Sequence, residues 1–172
     1  MLLSLGRIAA RRDRPRDAMR QFGQALELVA GVEPAVESHL QVAIGRIRRI
    51  DGDPQHAANA YRRALELFAE IGAPADTVTR TELELADALT AAGDHEGAAD
   101  ELRKVEQAGA KDGRTSLVAR AVGMLGSIDE LAGRARDAQA RYEEAASLAA
   151  AAGDAPGYRR WLSASKTLRA SL

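Results

Sequence analysis

The stretch Ala138-Gln139-Ala140-Arg141-Tyr142-Glu143-Glu144-Ala145 decides the fold, because the chain has already said it three times. Residues 18–25 (Ala-Met-Arg-Gln-Phe-Gly-Gln-Ala), 57–64 (Ala-Ala-Asn-Ala-Tyr-Arg-Arg-Ala) and 98–105 (Ala-Ala-Asp-Glu-Leu-Arg-Lys-Val) follow the same template. It reads small, three variable, large and apolar, two variable, small or apolar. The first residues of successive copies lie 39, 41 and 40 positions apart. A fixed period of about 40 residues marks stacked helical repeats, each a unit that cannot bury its apolar face alone.

Working outward, each phrase sits in the second of two helices, here called helix B. Upstream lie an apolar segment at helical spacing (helix A) and then a break. In the second copy Leu40, Ile44 and Ile47 precede Gly52-Asp53-Pro54. Asp53 suits the cap of the next helix and Pro54 its first turn. The third copy breaks at Gly93-Asp94, the fourth at Gly133, and the first at Asp13-Arg14-Pro15. Links between repeats fall at Gly31 to Pro34, Gly72 to Pro74, and Gly109 to Gly113, and they carry the excess length of the repeat. The pattern predicts helices at 2–12, 16–30, 35–50, 54–70, 75–92, 95–108, 115–132 and 135–151, and a ninth at 156–170. No segment alternates branched residues as a strand does.

Close approach explains the repeated small residues. Ala18, Ala57, Ala98 and Ala138 on helix B match Gly6, Gly45, Ala86 and Gly126 on helix A. A glycine inside a helix costs about 1 kcal/mol relative to alanine, so its recurrence needs a packing reason. Phe22, Tyr61, Leu102 and Tyr142 then fill the space between repeats.

Composition narrows the function. The 172 residues are 46% hydrophobic but only 3% aromatic, an Ala- and Leu-built helical core. Charged residues make up 28%, yet the net charge is −1, against a dedicated nucleic-acid or anionic-membrane binder. With no cysteine there is neither a disulfide framework nor a Cys-based zinc site. No apolar run reaches membrane-span length, and Met1 to Leu5 lacks the basic flank of a signal peptide. A cytoplasmic protein is expected. Arginine outnumbers lysine 21 to 3, the codon habit of a GC-rich bacterial genome.

These residues resemble a tetratricopeptide repeat (TPR) array. That family's Leu-Gly pair on helix A, turn glycine, and Ala, aromatic and Ala on helix B correspond to Ile44-Gly45, Gly52, Ala57, Tyr61 and Ala64. They recur as Leu125-Gly126, Gly133, Ala138, Tyr142 and Ala145. The early aromatic of helix A is replaced by Leu2, Gln41, Glu82 and Val122, and the later one by Ala9, Arg48, Leu89 and Asp129. Longer repeats of this kind are similar to those of bacterial regulators, signalling ATPases and kinesin light chains. The resemblance implies one domain over 1–172, an all-α, right-handed α-solenoid of four antiparallel helix pairs. Its repeats cover about 2–30, 35–70, 75–108 and 115–151, and the segment at 156–170 forms a C-terminal capping helix. Trp161, Leu162, Ser165 and Leu168 would face the last repeat, with Arg159, Arg160, Lys166 and Arg169 in solvent. At the other end Leu2, Leu3 and Leu5 start a repeat without a cap, as a fragment or a self-associating end would.

In this family helix A lines the concave groove. Aligning the copies places Arg7, Ala10 and Arg11 there, then His39, Val42, Arg46, Arg49 and Ile50. Arg80, Leu83, Asp87 and Thr90 follow from the third repeat, and Arg120, Gly123, Ser127 and Glu130 from the fourth. Arginine forks suit bidentate capture of carboxylate, which points to an acidic peptide or protein segment. The alternative is that they are solvated or paired to Asp and Glu of neighbouring helices. Residues 1–50 carry nine basic against five acidic side chains, and 51–110 five against thirteen. The family's carboxylate clamp needs Lys and Asn on helix A, and the sole asparagine, Asn59, is on helix B.

Catalysis finds no foothold. His39, His56 and His95 lie in separate repeats without a metal-ligand partner on the same face, and no nucleophile elbow or phosphate loop occurs. The reading is a non-enzymatic protein- or peptide-binding scaffold, an interaction or sensor module of a bacterial regulatory protein, with no cofactor, metal, nucleic acid or membrane. The alternative is a self-association module working through the uncapped N-terminal repeat.

Overall fold

The computed structural model describes residues 15–171. Eight α-helices run through them: α1 (Pro15–Val29), α2 (Pro34–Ile50), α3 (Pro54–Glu70), α4 (Ala75–Ala91), α5 (His95–Lys111), α6 (Thr115–Leu131), α7 (Ala135–Ala151) and α8 (Ala155–Ser171). The described residues contain no strand. The expected helix at 2–12, the packing role of Gly6 and of the Ala18 side chain, the groove residues Arg7 and Arg11, and the uncapped Leu2 to Leu5 face lie outside the described residues. The chain divides into two compact units, Met1–Gly93 and Asp94–Leu172.

The repeat length has a different origin from the one expected. Each helix from α2 to α8 has 17 residues. The links between repeats are at most one residue longer than the turns within them, so two long helices, not stretched links, produce the 40-residue period. The expected end of helix B at 108 is corrected for the same reason. α5 continues to Lys111 with Gly109 inside it, where a Cβ would stand 2.7 Å from Val118 Cγ2. Gly109 is a packing residue, not a link.

Turn chemistry closes each helix. At Gly52 and Gly133 the backbone takes φ of 77° and 73°, which glycine adopts without a Cβ penalty. The next amide then reaches back: Asp53 N–H donates to Arg48 O at 2.9 Å, and Arg134 N–H to Asp129 O at 2.8 Å. Asp53 also caps α3, and Asp94 caps α5 by accepting from Gly97 N–H at 3.0 Å. The same two turns carry an ion pair of opposite polarity. Arg48 Nη1 lies 3.3 Å from Asp53 Oδ2, whereas Asp129 accepts from Arg134 Nη2 at 2.6 Å and from Arg141 Nε at 2.7 Å. Asp129, at a position the family fills with an aromatic, is buried and held by two guanidiniums.

In the first unit α2 and α3 form a hairpin between α1 and α4. Phe22 and Ala25 of α1 meet Leu40 and Ile47 of α2, with Met19, Val29, Ala43 and Ile44 around them. Tyr61, fully buried, lies so close to Gly45 that a Cβ there would be 2.7 Å from its ring. The buried Glu37 carboxylate ties the α1–α2 link, accepting from Gly31 N–H at 2.8 Å and from Arg63 Nε at 3.1 Å. In the second unit α6 and α7 repeat the hairpin, and a Cβ on Gly126 would stand 3.0 Å from the Tyr142 ring. α8 packs on it through Trp161 and Leu168, joining Val118, Val122, Ala138, Tyr142, Ala145 and Ala146. Trp161 lies parallel to Tyr142, with ring centroids 6.0 Å apart.

Candidate functional site

Helical spacing builds a cleft in the first unit. His39, Val42, Ala43 and Arg46 make one stripe of α2, and Asp76, Thr77, Arg80 and Thr81 one stripe of the first turns of α4. Between them Phe68 of α3 forms the floor, and the cleft encloses about 270 Å³. His39 stands edge-on to Phe68, with centroids 5.6 Å apart and planes at 83°. Its Nδ1 lies 2.8 Å from Ala35 O, and since a carbonyl can only accept, the proton is assigned to Nδ1.

The guanidiniums in and beside this cleft are already engaged. Arg46 grips Glu84 through Nε at 2.8 Å and Nη2 at 2.5 Å, a bidentate pair between successive A helices. That bond raises the Arg46 pKa, against the opposing effect of burial. Arg49 meets Asp87 at 3.4 Å, and Arg80 meets Asp76 at 3.0 Å. Among the described residues the buried Tyr61 hydroxyl has no partner at hydrogen-bonding geometry. Burial first, and the Glu84 charge second, push its pKa well above the ordinary phenol value.

The expected groove residues therefore separate into groups. His39, Val42, Arg46 and Arg80 converge on this cleft, while Arg49 and Asp87 form a surface pair. Ile50 is exposed. Leu83 is corrected from groove lining to core, since it is fully buried. Gly123 is likewise buried, its missing Cβ space filled by the Trp161 indole. Ser127 and Glu130 serve Tyr142, whose hydroxyl donates to Glu130 Oε2 at 2.7 Å and lies 3.2 Å from Ser127 Oγ. Burial, reinforced by that bond, pushes the Tyr142 phenol up to about 12.

Arg120 lies in a second cleft, in the second unit, of about 360 Å³. Ser116 and Leu117 of α6 share it with Asp154, Pro156, Gly157, Arg160 and Trp161 at the start of α8. Phe68, Asp76, Thr77 and Thr81 fall outside the expected groove set, and Arg160, expected in solvent, is exposed and also borders the second cleft. The available signal was alignment of the first turns of the A helices, which line these clefts as much as the helix centres do.

Among the described residues no helix is long and apolar enough to cross a membrane, and no three His, Asp or Glu side chains are grouped to hold a metal ion.

No family model matches the sequence, and no curated protein matches it. Solved structures do. The apo form of RapI superposes with a TM-score of 0.87 at 16% identity, over 99% of this chain and 62% of RapI. MamA gives 0.68 at 18% identity, over 88% of this chain and 78% of MamA. A Rap protein complexed with competence and sporulation factor gives 0.67 at 16%, over 86% of this chain and 42% of that one. This chain thus spans less than two thirds of RapI. These neighbours are TPR-type helical repeat proteins, and the fold here is all-α and of the TPR-like solenoid class.

Proposed function

We propose that the chain is a non-enzymatic protein- or peptide-binding scaffold whose first unit seats a peptide segment in the cleft between α2 and α4. The observation that carries this is the cleft itself: an apolar floor of Val42, Ala43 and Phe68 under polar walls. A few convergent polar groups over an apolar base are what a recognition site needs. An apolar side chain of the partner enters against Phe68, and its backbone meets Thr77 and His39 at the rim. Arg46, Arg49 and Arg80 each hold a carboxylate of this chain, so the cleft is near neutral and does not demand an acidic ligand. The likeness to a Rap protein solved with competence and sporulation factor supports a role as an interaction or sensor module of a bacterial, cytoplasmic regulatory protein.

Phage-displayed peptides selected on the full chain, followed by calorimetry, test this. Ala43→Gln fills the cleft from its floor and is expected to weaken the selected peptides about tenfold or more. Unchanged affinity in that variant, with native circular dichroism, overturns the site. Light scattering that shows a concentration-dependent dimer and no peptide binding favours self-association instead.

A further inference from the structure

The second cleft repeats the first with different charge. Pro156, Gly157, Arg160 and Trp161 hold the same places in α8 that Asp76, Thr77, Arg80 and Thr81 hold in α4, counted from each helix start. In the first cleft Asp76 neutralises Arg80. In the second, proline stands where that aspartate stood, and Arg160 has lost its counter-ion. On the facing helix Arg120 occupies the position of His39, counted from the packing glycines Gly126 and Gly45. The acid has moved from the first turn to the cap, where Asp154 replaces Pro74, and a base has moved from Arg46, matched here by Ser127, to Arg120.

Nothing in the described chain restores neutrality. Neither Arg120 nor Arg160 reaches a carboxylate among the described residues. Asp154, the one acid in the lining, is committed to the α8 cap, accepting from Gly157 N–H at 3.0 Å. The Arg160 guanidinium carbon lies 4.5 Å from the Trp161 ring centroid, a cation–π contact that holds the group beside the indole. α8 itself carries Arg159, Arg160, Lys166 and Arg169 and no acidic residue at all.

We propose that this cleft is a second docking site, for an acidic peptide segment. A glutamate or aspartate of the partner sits between Arg120 and Arg160, and an apolar neighbour lies against Trp161 and Leu117. Charge complementarity selects this occupant: a neutral segment would leave both exposed guanidiniums without a carboxylate, and a basic one would be repelled. The inference rests on the scaffold reading and adds the chemistry of a second ligand.

The test is fluorescence anisotropy on the full chain with a labelled peptide alternating glutamate and leucine, beside its glutamine counterpart. The glutamate peptide is expected to bind more tightly, to weaken with added salt, and to lose about tenfold or more in Arg120→Gln/Arg160→Gln. Peptides selected on the first cleft keep their affinity in that variant. Equal binding of the glutamine peptide, or an unaffected double variant, overturns the inference. So does an Arg120- and Arg160-dependent self-association in the absence of peptide, which would make a second copy the occupant. If Ala43→Gln abolishes binding of its own peptides while the glutamate peptide never binds, this inference alone fails. If neither class of peptide binds, the scaffold reading fails with it.

Discussion

Replacing Gly123 by alanine sets two known effects against each other. In an open helix the change stabilises by about 1 kcal/mol, because glycine loses more backbone entropy on folding. At Gly123 the new Cβ would stand 2.3, 2.5 and 2.6 Å from three atoms of the Trp161 indole. Ordinary carbon contacts are about 3.5–4 Å, so the ring must retreat by about an ångström. It has little room, being 4% exposed and stacked on Tyr142. Overpacking of this kind costs about 1–3 kcal/mol, and a clash this deep belongs at the upper end, leaving a net loss of about 1–2 kcal/mol. The chain has a single tryptophan, so its fluorescence during urea unfolding reports this contact directly. Gly45→Ala, at 2.7 Å from Tyr61, is expected to lose less, and Gly126→Ala, at 3.0 Å from Tyr142, to be nearly neutral. Gly23 in α1 has nothing within 4 Å, so Gly23→Ala isolates the propensity gain and raises the thermal midpoint by a few degrees. A Gly123→Ala protein as stable as the parent, with Gly23→Ala unchanged or lower, would refute the reasoning.

Other consequences are open to measurement. The Tyr142 phenol is raised from 10.0 to about 12, so the folded state holds its proton longer than the unfolded chain does. That contribution is intact below pH 10 and drains away as pH rises through about 12; urea midpoints across this range should fall less steeply in Tyr142→Phe. Asp129→Asn leaves Arg134 and Arg141 without their carboxylate, and both cations reach solvent, so a loss of about 1–2 kcal/mol is expected in equilibrium unfolding. A loss no greater than that for Arg48→Ala in the more exposed counterpart would contradict the burial argument. Asp94→Ala removes the cap of α5 and should cost about 1 kcal/mol, read as a lower urea midpoint by circular dichroism.

The helices were legible because their signals are local. Gly52, Gly93 and Gly133 mark stops, Pro34 and Pro54 mark starts, and the recurring Ala and Tyr positions set the phase. From α2 onward the expected ranges agree with the observed ones to within about three residues. The clefts were less legible because their character is set across helices. Arg46 looks free in sequence, and its partner Glu84 stands 38 residues away on the next A helix. Leu83 and Gly123 share the phase of Val42, but the packing of the following helix decides whether that phase is open or covered. Trp161 closes it at Gly123, and no spacing rule within α6 contains that information.

The reversed ion pair in the two A–B turns bears on folding fidelity. Hairpins that share the same packing positions could exchange partners, α2 with α7 and α6 with α3. In the first mismatch Arg48 faces Arg134, and in the second Asp129 faces Asp53. Both native hairpins join opposite charges, and both crossed ones join like charges, so the inversion acts as a sorting label. It disfavours domain-swapped and misregistered assemblies that the shared apolar pattern alone would permit.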